Sequence, residues 1–416
     1  MVWLRAVGLL AAAVAFVFGA GSDVTSLAPE FASASGGPVH PEPLAGNVRA
    51  LGPALLDAAV GQVDAEEAVA VAARRLSPRQ LAGQRVIYSY PGLRPPASLL
   101  ALIRHGEAAG VLFFSANYGS RRQFTSVVRE LDAADASATN PVSRYPLLLV
   151  TDQEGGIVRR LPGAPEQSEK QTGEIRPLAA AGAAAGRAGA AAAASLASYG
   201  LNVDLAPVLD VYRSAGDFDD QYQRSYSDRP SVVAALGARF IAAMQAAHVA
   251  ATAKHFPGLG AASAQQNTDD VPVTINLPAA TLAGTDEHPY PAAIAAGVRL
   301  VMLSWARYPQ LGSALPAGLS ATIVQGLLRG RLGFGGVTIT DAISAGALRG
   351  YGPVQHRAVL AAGAGMDLIL AASMNSAEGT WAAEGLRAAL AGGRLSKTGF
   401  DAAVAQILSL RQSLRS

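Results

Sequence analysis

Ala250-Ala-Thr-Ala-Lys-His-Phe-Pro-Gly-Leu-Gly260 changes character halfway along. Four small residues give way to a Lys-His pair, and that pair to Phe-Pro-Gly-Leu-Gly. Pro257 has no N–H and disfavours helix at Phe256, while Gly258 and Gly260 admit backbone angles that other residues avoid. The stretch predicts a buried strand that stops near Lys254, with its last polar side chains facing beyond the sheet edge. Polar groups at the carboxyl ends of buried strands are the usual way a barrel enzyme builds its site.

The pattern repeats along the chain. Short β-rich runs fall at 85–89, 110–115, 147–151, 202–205, 250–253, 299–304, 337–340 and 366–370. Helical stretches rich in Ala and Leu lie between them, at 96–108, 121–134, 178–199, 231–247, 278–296 and 320–331. Two more follow at 354–362 and 376–390, and 398–414 makes a C-terminal helix. Strands alternating with helices in this way predict an α/β fold, a (β/α)8 TIM-type barrel in one large domain over 55–416. An open doubly wound sheet is the alternative. It is weakened because no Gly-x-Gly-x-x-Gly follows the first strand.

Composition sets outer limits. Of 416 residues, 50% are hydrophobic and 15% charged, so a large core forms and a disordered chain is excluded. A net charge of +2 leaves no basic footprint for nucleic acid. With no cysteine there is no disulfide, thiolate nucleophile or cysteine-bound metal, and no lipid-modified cysteine to anchor the chain. No His pair at metal-ligand spacing occurs, so neither a metal nor another cofactor is expected. Arg5, the apolar run 6–18 and the small residues Gly19-Ala-Gly-Ser22 read as a signal peptide over 1–22. The Pro/Ala/Ser/Gly-rich segment 23–54 reads as a flexible spacer. The mature protein is thus expected outside the cytoplasm as a monomer without stable membrane insertion; an uncleaved anchor is the alternative.

Polar residues sit at the ends of five of the predicted strands. Asp152-Gln-Glu154 follows the third, Asp204 and Asp210 the fourth with Arg224 in the loop beyond, and Lys254-His255 the fifth. Ser304-Trp305 ends the sixth and Asp341 the seventh. Barrel closure brings these groups around one mouth. Carboxylates, two or three cations and one indole suit a neutral polyol, whose hydroxyls they bond and whose ring the indole stacks on.

Those residues resemble glycoside hydrolase family 3, in its bacterial β-N-acetylglucosaminidase branch. The carriers are Asp152-Gln-Glu-Gly-Gly-Ile-Val-Arg-Arg-Leu161, Leu201-Asn-Val-Asp-Leu-Ala-Pro-Val-Leu-Asp-Val211, Arg224-Ser-Tyr226, Lys254-His-Phe-Pro-Gly258 and Leu332-Gly-Phe-Gly-Gly-Val-Thr-Ile-Thr-Asp341. They keep the family's order and spacing over residues 75–375. The resemblance implies a retaining exo-β-glycosidase, a β-N-acetylhexosaminidase acting on terminal GlcNAc-type sugars of cell-wall or chitin-like glycans. It implies Asp341 as nucleophile, with Asp152, Arg224, Lys254 and His255 holding the sugar hydroxyls; Trp305 is the expected stacking face. Glu154, Asp204 and Asp210 read as structural partners.

One departure stands out. In that branch the loop after Lys-His carries an Asp-x-His pair whose His is the acid/base, and here the loop 258–272 has no His. Asn267-Thr-Asp269 stands in its place, so Asp269 or Asp270 is the expected proton donor, with His288 as an alternative. The loss also leaves open a glycan-binding protein on a lapsed scaffold. A β-glucosidase or β-xylosidase of the same family is the rival enzyme.

Overall fold

The computed structural model describes residues 65–414, so the expected leader at 1–22 and spacer at 23–54 lie outside the described residues. Eight parallel strands close into a barrel: β1 Val86–Tyr88, β2 Gly110–Leu112, β3 Leu148–Thr151, β6 Val203–Asp204, β7 Ala250–Phe256, β8 Leu300–Leu303, β9 Val337–Ala342 and β10 Leu368–Leu370. β4 Gln153–Gly155 and β5 Val158–Arg159 form a small antiparallel hairpin directly after β3, where the sequence pattern predicts no strand. Gly155 and Gly156 make its turn with φ of +112° and +56°, angles that exclude most side chains.

Strand period fixes what faces inward. Leu148 and Val150 of β3, Ala250 of β7, Leu300 and Met302 of β8, and Val337 and Ile339 of β9 fill the barrel interior. The alternate residues, such as Leu149, Ala251, Val301 and Leu303, pack outward against the helices. These helices include Ala97–Arg104, Arg121–Asp135, Leu178–Ala197, Pro230–Ala246, Val354–Ala364 and Ser376–Ala391. The stretch 278–296, expected as one helix, divides into Ala279–Thr281, Leu282–Asp286 and Pro289–Ala295. A proline at the start of the last piece gives no N–H to continue the preceding helix.

The C-terminal helix Lys397–Ser413 closes the amino end of the barrel. Ile407, Leu410 and Leu414 join the interior cluster. Arg411, fully buried, donates to the carbonyls of Pro146 at 2.9 Å and Tyr145 at 2.6 Å, just ahead of β3. With that end plugged, the opposite end is the open mouth.

Candidate active site

The inward series continue past the apolar residues. Leu148 and Val150 lead to Asp152, Ala250 and Thr252 to Lys254, and Val337 and Ile339 to Asp341, so period two turns all three toward the axis at the carboxyl end. There Lys254 Nζ donates to Asp152 Oδ1 at 2.9 Å and lies 2.7 Å from Glu154 Oε1. Burial works against the ammonium, but Asp152 and Glu154 overcome it and raise its pKa. Both the Lys254–His255 and Phe256–Pro257 peptide bonds are cis, and β7 runs on to Phe256 rather than stopping at Lys254.

The hairpin folds Glu154 back into the same cluster. Arg224 grips it with two N–H groups, Nε at 2.9 Å and Nη2 at 3.0 Å, and gives Nη1 to Asp219 at 3.1 Å. Burial pushes the Glu154 carboxyl up, but Arg224 and Lys254 outweigh it and hold the group at about 2. Asp152 is likewise held below the usual carboxylate range, burial being outweighed by Lys254 and Arg160. Two of the three ammonium protons and three of the five guanidinium protons are so engaged. The remaining donors are left for hydroxyls, beside the partly exposed side chains of Asp152 and Arg224.

His255 is held from behind. Its Nδ1 lies 2.7 Å from Asp210 Oδ2, and the N–H groups of His255 and Leu259 also donate to the Asp210 carboxylate. That bond places the ring proton on Nδ1 and leaves Nε2 as acceptor. Burial, then Arg224, lower the imidazole pKa to about 4, so the ring is neutral at pH 7. Asp210, Asp219 and His255 have candidate metal-ligand atoms within 4.8 Å of one another, with Asp210 committed to three N–H donors. The cluster holds more acids than cations, and burial raises the carboxyls of Asp204 to about 8, Asp219 to about 7 and Glu169 well above its ordinary value.

Asp341 accepts from the Ala342 N–H at 2.7 Å and stays partly open to the mouth. Burial raises its carboxyl, and Asp269 is the neighbouring charge that raises it further, opposed by His255. The loop 258–272 thus brings Asp269 within electrostatic reach of Asp341. Asp269 is exposed, and its carboxyl is raised by burial, with Arg224 opposing and Asp270 and Asp152 adding to the rise. Asp270 is turned to Asn267 Nδ2 at 2.7 Å. His288 is exposed, immediately ahead of the helix Pro289–Ala295.

Trp305 corrects an expectation. Its indole is 1% exposed, too little to offer a face to a sugar. Gly318, lacking a side chain, lets the ring pack against its backbone, and Nε1 donates to the Ala342 carbonyl at 2.9 Å. Trp305 therefore braces the strand end that carries Asp341. Sequence reasoning also misses Asp219, one of several acids in a polar loop, which only the fold singles out as the partner of Arg224.

Glu154→Ala leaves the buried Lys254 and the partly exposed Arg224 short of an anion. Removing one member of such a cluster costs about 3–5 kcal/mol, mostly as uncompensated charge. Urea unfolding is expected to show that loss for the alanine variant and a smaller one for Glu154→Gln, which keeps the shape and an acceptor. Equal, small losses for both would mean that Glu154 is not the anion that holds the cluster together.

Comparison with known proteins settles the family. A model described as the glycosyl hydrolase family 3 N-terminal domain matches residues 56–410. The chain belongs to glycoside hydrolase family 3. Among its relatives, an uncharacterized secreted glycosyl hydrolase of Arthroderma benhamiae is 42% identical over 334 residues, 80% of this chain and 93% of the relative. A β-hexosaminidase of Xanthomonas oryzae pv. oryzae is 35% identical over 273 residues, 64% of this chain and 77% of its own length. Of solved structures, a family 3 β-N-acetylglucosaminidase from a Paenibacillus species aligns with a TM-score of 0.75 at 32% identity over 82% of this chain. This chain spans 63% of that one. A β-N-acetylhexosaminidase from Beutenbergia cavernae aligns with a TM-score of 0.71 at 31% identity, over 81% of this chain and 98% of its own. As a member of the family the chain is a glycoside hydrolase, and its substrate is a glycan. Among the described residues no helix is long and apolar enough to cross a membrane.

Proposed function

We propose that the protein is a secreted, retaining exo-β-glycosidase of the β-N-acetylhexosaminidase type, acting on terminal GlcNAc-type sugars. The observation that carries this is that strand period turns Asp341 toward the barrel axis at the same carboxyl end as Asp152 and Lys254. The names of the relatives favour the amino sugar, and the name of the Arthroderma relative favours secretion. Asp341 attacks the anomeric carbon as carboxylate; the bond to the glycosidic oxygen breaks, and that oxygen takes the proton of Asp269. Asp269, now carboxylate, takes a proton from water, whose oxygen displaces Asp341 and restores the β configuration. Asp152, Arg224, Lys254 and His255 bind the hydroxyls, with the neutral His255 accepting through Nε2.

A panel of nitrophenyl β-glycosides tests the reading. The N-acetylglucosaminide is expected to give the highest kcat/KM, on the order of tenfold or more above glucoside and xyloside. A preference for glucoside or xyloside makes the protein a different exo-glycosidase of the family. Binding of a disaccharide without turnover of any member makes it a glycan-binding protein.

A further inference from the structure

Beyond the strand that carries Asp341, the chain turns back on itself and meets the loop 258–272. The Gly346 N–H donates to the Asp269 carbonyl at 2.6 Å, and the Ala347 N–H to the Thr268 carbonyl at 3.0 Å. Thr268 is 3% exposed, so the seam is dry on that side. Gly346 is not among the glycines with positive φ, and so another residue could adopt its backbone angles. What excludes a side chain there is space: a Cβ on Gly346 falls 2.8 Å from the Asp269 carbonyl oxygen and nearer still to the Asp270 carbonyl. Within the loop, Asn267 Oδ1 accepts the Asp269 N–H at 3.0 Å, while its amide engages Asp270. Among the described residues no hydrogen bond engages the Asp269 carboxyl.

We infer that Gly346 is a positioning residue: its missing side chain lets the segment after Asp341 clamp the loop, so that Asp269 is set against the nucleophile before sugar binds. The inference rests on the reading of Asp269 as acid/base. Only the four residues 342–345 link the nucleophile to its clamp, so the two carboxyls are located by one short stretch rather than by a loop that closes independently. A methyl group at 346 pushes the loop outward and moves Asp269 without touching the binding residues or Asp341. Displacements of about 1 Å in a catalytic group cost up to roughly 10²-fold in rate.

The experiment compares wild type, Gly346→Ala and Asp269→Asn on two substrates of the same sugar: a dinitrophenyl glycoside, whose leaving group needs no proton, and a disaccharide, whose leaving group does. Gly346→Ala is expected to lose roughly 10–10²-fold in kcat/KM on the disaccharide and under about threefold in kcat/KM on the dinitrophenyl glycoside, because that ratio reports the glycosylation step, before Asp269 acts as base. Equal losses on both substrates, or none, overturn the positioning role. If Asp269→Asn itself shows no dependence on leaving group, the acid/base reading fails instead, and the two failures are thereby told apart. Hydrogen exchange on the wild type gives a check independent of whether the variant folds. The amides of Gly346 and Ala347 are expected to be protected in the absence of sugar, and exchange as fast as an open loop refutes the clamp.

Discussion

Asp341→Asn is expected to lower kcat on the order of 10³-fold or more while leaving sugar affinity within a few-fold of wild type. Asn keeps the Oδ1 acceptor that receives the Ala342 N–H at 2.7 Å, so the strand end holds its shape. It lacks the carboxylate that must bond to the anomeric carbon, so the covalent step has no nucleophile. In the proposed function, sugar affinity is carried by Asp152, Arg224, Lys254 and His255, none of which hydrogen-bonds to Asp341. Rapid-quench turnover on a dinitrophenyl glycoside, together with calorimetric titration of the variant with disaccharide, measures both halves. Turnover near the wild-type rate means that another group is the nucleophile.

Much of this site is legible in the amino-acid sequence, because two periods are superposed there. A strand period of two puts Asp152, Lys254 and Asp341 on one inner surface, and the run of strands and helices closes that surface into a barrel. The rest depends on space and on contacts distant in sequence. An indole at the end of a strand reads the same whether it stacks on sugar or is buried; Gly318 and the Ala342 carbonyl decide for burial at Trp305. Asp217, Asp219 and Asp220 are alike in sequence, and only the approach of Arg224 distinguishes Asp219. Glu154 reads as a structural partner, but its link to both Lys254 and Arg224 needs the hairpin turn at Gly155 and Gly156.

The second large effect concerns the proton. Asp269→Asn is expected to cost about 10²–10⁴-fold on the disaccharide and far less on the dinitrophenyl glycoside in the glycosylation step, because general acid catalysis matters only where the leaving oxygen needs a proton. Asp270→Asn is the matched control, since Asn267 holds that carboxyl at 2.7 Å, and its losses are expected to be small and equal on both substrates. The pH profile separates the roles further. Activity requires Asp341 ionised, so its titration sets the acid limb of kcat/KM, and Asp269 protonated, so its titration sets the basic limb. Burial raises the Asp341 carboxyl, so the acid limb is expected above the ordinary carboxylate range. Asp269 is still protonated on that limb and has no charge to lose, so the acid limb of Asp269→Asn is expected to stay in place. The basic limb disappears with the group that produced it. A basic limb that persists in Asp269→Asn contradicts the role of Asp269 as acid. Leaving-group-dependent loss in Asp270→Asn instead assigns the proton to Asp270, whose hydrogen bond to Asn267 must then break in the working enzyme.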